Sequence, residues 1–81
     1  MSQKFSELTP NEKVAKVEFH AEYWREQLHL AKENLSWLRK NLPDKKGLID
    51  YAEESINRAK EMIGKWETMA NKYRSYAEEQ D

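Results

Sequence analysis

The sequence predicts an all-α protein, a long antiparallel two-helix hairpin of coiled-coil type, and three observations predict it. The first is a heptad ladder. In the first half position a is Val14, Ala21, Leu28, Leu35 and Leu42, and position d is Val17, Trp24, Ala31 and Leu38. In the second half a is Ile49, Ile56, Ile63, Ala70 and Ala77, and d is Ala52, Ala59, Trp66 and Tyr73. An apolar repeat of 3.5 residues sustained over this length specifies a seam between helices rather than a globular core. The second observation is that Pro43 to Gly47 interrupts this ladder once, near its middle. The third is composition: 36% charged residues with two Gly and two Pro, which suits long helices, while three Trp, four Tyr and two Phe exceed what a disordered chain carries.

The chain has 81 residues and a net charge of −1, so it holds one domain whose stability on its own is small. Residues 1–8 read as an N-terminal arm, with Phe5 and Leu8 either folding over the end of the bundle or serving as a second docking element. Residues 9–81 read as the hairpin. Helix 1 is expected over about 10–42, because Thr9-Pro10-Asn11-Glu12 places Thr at the N-cap, Pro at the first helical position and Glu at the third, a capping box. Pro43 stops it, since the residue before proline is driven toward extended geometry. Arg39 and Lys40 fall in the last turn, where the helix dipole favours cations. The turn is expected at 43–47, centred on Gly47, with Asp44 as a cap. Helix 2 is expected over about 48–78, with Gly64 at an outer b position.

So short a connection forces the helices antiparallel. Packing a against d with the turn at Gly47 sets Leu38 with Ile56, Leu35 with Ala59, Leu28 with Trp66 and Trp24 with Ala70. With Leu42 on Ala52, Ala31 on Ile63, Ala21 on Tyr73 and Val17 on Ala77, six of the eight layers set a large side chain on a small one, the exceptions being Leu38 with Ile56 and Leu28 with Trp66. The neighbouring alignment sets Trp24 on Trp66 and Ala21 on Ala70, combining overpacking with a void, at about 1–3 kcal/mol per error. The same alignment pairs the e positions as Arg39 with Glu53, Arg25 with Glu67 and Glu18 with Arg74, leaving Lys32 and Lys60 as the like pair. Exposed pairs of this kind select register rather than supply stability.

The seam does not use up the apolar residues. Helix 1 carries a second stripe of Phe19, Tyr23, Leu30 and Trp37, and helix 2 carries Leu48, Met62, Met69 and Tyr76 at position g. In an antiparallel hairpin the two g edges share one flank with c just beyond, so the stripes merge into a broad face. Faces of this kind mark interfaces. Self-association of two hairpins into a four-helix bundle, a homodimer, is one expected use. Docking of another protein is the other, since aromatic residues and Met are enriched at interface cores. The expected role is therefore a non-enzymatic interaction protein, such as a small regulator, inhibitor, adaptor or assembly factor of the kind bacteria and phages encode.

Other chemistries find little support. Glu26-Gln27-Leu28-His29 has the Glu-x-x-His spacing of di-iron bundles, but both residues fall on outer positions and helix 2 has no His. His20, at g, reads as a rim residue of the second face or as a pH-sensitive contact there. The carboxylates lie on outer positions or in the tail, where no acid-base pair is desolvated. No Gly-rich loop and no Ser/His/Asp constellation occurs. An enzyme, a cofactor, a metal and a small-molecule substrate are therefore not expected. Arg39, Lys40, Lys45 and Lys46 gather at the turn, opposite an end that carries Glu7, Glu12, Glu78, Glu79 and Asp81. This basic tip makes an acidic protein surface or phosphates a secondary possibility, with the chain as a nucleic-acid accessory protein. The net charge argues against nucleic acid as the main partner. No Cys is present, no apolar run reaches the roughly 18 residues of a membrane span, and Met1 to Phe5 has no signal-peptide core. These features suggest a cytoplasmic protein.

Overall fold

Helix 1 begins where its capping signals stand. In the computed structural model, which describes residues 4–79, the first long helix, α1, spans Pro10–Asn41 behind an N-cap at Thr9. The Thr9 hydroxyl accepts from the Glu12 backbone N–H at 3.2 Å, and Glu12 Oε1 accepts from the Thr9 N–H at 3.1 Å. The Glu12 carboxyl is held below its ordinary pKa, by the backbone N–H of Thr9 most and by the nearby Thr9 hydroxyl next. A carboxylate with a depressed folded-state pKa stabilises fully above its unfolded value and loses that contribution as pH falls through the folded one. Thr9→Ala is expected to lower stability by about 1 kcal/mol. Glu12→Gln is expected to remove the part of the acid limb of a stability–pH curve that Glu12 contributes; an unchanged limb would count against the box.

The helix ends as Pro43 dictates. The Leu42 N–H still reaches Leu38 O at 2.8 Å, but Leu42 itself has left helical geometry, with φ −134° and ψ 57°. A tight turn follows, closed by the Lys45 N–H on Leu42 O at 3.1 Å. The Lys45 carbonyl then accepts from Leu48 and Ile49, and the second helix, α2, spans Lys46–Glu79. Helix 2 thus starts two residues earlier than its heptads suggested. Gly47 lies inside its first turn with no positive φ, so Pro43 and Asp44, rather than Gly47, occupy the bend. Asp44 sits one residue before the cap position, which Lys45 takes.

The two helices pack along their whole length as a hairpin. Every a and d residue from Val14 to Ala77 is buried or half-buried, and every b, c and f residue of the two helices is exposed. The deepest sites belong mostly to small residues: Ala21, Ala52, Ala59 and Ala70 are 1–2% exposed. Their large neighbours complete the layers, with Leu35 and Leu38 buried beside Ala52 and Leu42, Ile49 and Ile56 packed around them. Register is fixed by ion pairs across the e flank. Arg25 binds Glu67 at 2.9 Å, Arg39 binds Glu53 at 3.1 Å, and Arg74 binds Glu18. These are the three pairs that the large-on-small alignment requires.

The product is a plate rather than a ball. Its extents are 56 × 28 × 14 Å and its radius of gyration is 17.3 Å, against about 12 Å for a compact globule of this length. Before α1, a single 3-10 turn at Phe5–Glu7 folds the chain back over the open end. Phe5 meets Tyr73 edge-to-face at 5.5 Å, with the Lys13 ammonium about as far from both rings. That part of the arm caps the bundle. Met1 to Gln3 of the arm, and Asp81 of the acidic end, lie outside the described residues.

Gly64 is exposed and helical, and a Cβ built on it meets nothing within 4 Å. Gly64→Ala is therefore expected to stabilise the hairpin by about 1 kcal/mol, read as a raised Tm. A lowered Tm would mean that something packs on that surface.

Candidate protein-docking face

Going around each helix from the seam, one flank passes through e and b and the other through g and c. The e flank is tied up by its ion pairs. The g and c flank is where the surplus apolar residues stand. Tyr23, Leu30 and Trp37 lie at c of α1 and are about half exposed, as are Leu48 and Tyr76 at g of α2. Met69 is slightly more covered, and Met62 is half-buried against the seam. Phe19, at f and 67% exposed, lies farther round and joins the face through an edge contact with His20 at 5.9 Å.

Sequence reading missed one aromatic of this face. Tyr51 is 70% exposed at c of α2, on the same flank as Leu48 and Trp37. Following c along α2 as well as α1 would have found it. It would also have found Arg58, Lys65 and Lys72, the next three c residues of that helix. With Lys13 at g and Lys16 at c of α1, five cations stand on this flank. Among the described residues Glu79, at the last position of α2, is the one acid at a c or g site. Acids resume at f, with Glu26 and Glu33 on α1 and Glu54 and Glu61 on α2. The apolar face is thus bordered by positive charge, and negative charge is kept around the back.

Two depressions follow the line between the helices on this side. A cavity of about 330 Å³ at mid-length has Ala31, Ala52 and Ala59 among its lining, with Asn34, Ser55, Leu30 and Arg58 around them. Another of about 390 Å³ near the open end lies among Phe5, Lys16, His20, Trp66 and Met69. There His20 is half-buried with its ring stacked on the Trp66 indole at 4.6 Å. The Trp66 Nε1 is buried and has no hydrogen-bond partner among the described residues.

The remaining sequence motifs stand apart from this face. His29 Nε2 lies 3.0 Å from Glu33 Oε1 on a well-exposed surface, rather than meeting Glu26. Among the described residues no group of three His, Cys, Asp or Glu is assembled to hold a metal. At the turn, Arg39 is engaged by Glu53, while Lys40, Lys45 and Lys46 are exposed. No described helix is long and apolar enough to cross a membrane. Fold and face together define a helical hairpin with one ion-paired flank and one apolar, positively bordered flank. No family model, curated protein or solved structure matches the chain.

Proposed function

We propose that this chain is a non-enzymatic interaction module that docks another protein through the g and c flank of its hairpin. The observation that supports this reading most is the row of exposed large apolar side chains, Tyr23, Leu30, Trp37, Leu48, Tyr51 and Tyr76, on one side of a plate whose other flank is solvated and charged. A monomer gains nothing from leaving such a row in water.

Self-association into a four-helix bundle uses the same face. It brings five cations from each copy into one interface with Glu79 as the one acid of each face among the described residues, so a different protein suits the charge pattern better. The basic turn is the weaker docking element, because Arg39 is already paired.

Photo-crosslinking tests the assignment in cells that make the protein. A benzophenone side chain at Leu30 or Met69 is expected to give adducts, and one at Lys32 on the e flank is expected to give none. Adducts at twice 9.7 kDa would identify a second copy as the occupant. Equal labelling from both flanks would remove the face from consideration.

A further inference from the structure

We infer that the occupant of this face is an acidic amphipathic helix of another protein, laid in the groove between α1 and α2 so that a three-helix bundle results. The inference rests on the docking reading above and adds the chemistry of the partner. Three features carry it.

The first is shape. The hairpin is one helix layer thick, 14 Å, and the line between its helices is recessed on this side, as it is on the e flank, where the lining is the charged Glu18, Arg25, Glu67 and Arg74. A groove floored by alanines and short polar groups between two parallel-running ridges is the seat for a helix presenting apolar residues at i, i+3, i+4 and i+7. The second is charge. Arg58, Lys65 and Lys72 rise at seven-residue intervals along one rim, with Lys13 and Lys16 at the open end of the other. A helix with Glu or Asp flanking its apolar stripe meets this rim at every second turn. The third is the floor itself. Asn34, at g and exposed, and Ser55, at g and half-buried, border the recess. A polar floor disfavours an acyl-chain surface, where such groups go unpaired. It suits a helix, whose own flanking side chains can supply partners. Nucleic acid fits less well, since Leu30, Leu48 and Met69 interrupt the aromatic platforms that stacking needs.

A second copy of this chain does not meet the description. Apart from Glu79 at the end of α2, its helical acids lie at e, b and f, away from its apolar stripe, so along most of their length face-to-face copies oppose cation to cation.

The test is a display library of four-heptad helical peptides with Leu or Ile at the apolar positions and Glu or Lys, equally frequent, at the flanking ones. The full-length chain is the bait. Glu is expected to be enriched at the flanks, with at least tenfold weaker binding of the selected peptide when its Glu residues become Lys. The triple variant Arg58→Glu, Lys65→Glu and Lys72→Glu, checked for helical content, is expected to reverse the selection toward Lys. Selection with no charge bias would overturn the acidic partner while leaving the docking face standing. Selected peptides that bind a Leu30→Glu, Met69→Glu variant undiminished would remove both. Retention of oligo-dT or phosphatidylserine vesicles on the same face, with no peptide selected, would overturn the helix in favour of a polyanion or membrane.

Discussion

Ala59→Asp is expected to abolish the folded hairpin. Ala59 is 1% exposed and stands at a d position of the seam. Lys60 is exposed at the neighbouring e position, and Arg58 stands at the edge of the recess rather than in the seam. A carboxylate there has the choice of remaining charged in an apolar layer or taking up a proton, and either costs several kcal/mol. Whole domains are stabilised by only about 5–15 kcal/mol, and one this small sits toward the low end. The loss should show as disappearance of the helical circular dichroism signal and of the cooperative melt. Lys60→Asp, the same side chain one residue on, is expected to change stability by about 0.5 kcal/mol or less. A graded companion is Leu38→Ala, expected to cost about 2–5 kcal/mol. If Ala59→Asp melted near the wild-type temperature, the helices could not be packed in this register.

Trp37→Ala is expected to do the opposite: to leave folding alone and impair binding. The indole is 53% exposed and lies outside the seam, so the melt should move by no more than a surface substitution does, about 0.5 kcal/mol. Its neighbours on the face are other large exposed side chains, Leu48 and Tyr51 toward the turn and Leu30 toward the middle. Trp at the centre of such a patch is the residue type that most often dominates an interface, at about 2 kcal/mol or more when truncated. That corresponds to roughly thirtyfold in Kd. Titration of a bound helical peptide, or dilution of a self-associated species, measures it directly, with Lys32→Ala on the far flank as the control. Unchanged affinity together with an unchanged melt would show that the indole touches nothing of consequence.

The seam was legible from the sequence because it is written twice. Its period recurs in every turn of both helices, and the e charges repeat the same alignment independently, so Arg25 had one suitable partner in Glu67 and Arg39 one in Glu53. The face was legible only in part, because it has no period of its own. It is the sum of a c stripe on α1, a g stripe on α2 and a second c stripe on α2, brought together by antiparallel packing. Reading c on one helix alone missed Tyr51, Arg58, Lys65 and Lys72. Gly47 misled for a related reason. Glycine is the usual residue where a chain must adopt positive φ, but Pro43 and Asp44 make this turn without any, and Gly47 is left as an ordinary residue of the first helical turn. The fate of Phe5 depended on Tyr73 and Lys13 arriving at the same end from distant stretches of chain, which no local pattern records.

A plate 14 Å thick also lacks any second layer to hold one helix if the other leaves. Opening the single seam exposes every backbone amide of both helices to exchange and to proteases at once, so the most protected amides of α1 and α2 should exchange with a common opening free energy rather than in separate units. A partner seated on the plate raises that free energy for the entire chain, by about 2.7 kcal/mol when its free concentration is a hundred times Kd. The lifetime of the unoccupied protein in a cell then becomes a readout of how much partner is present.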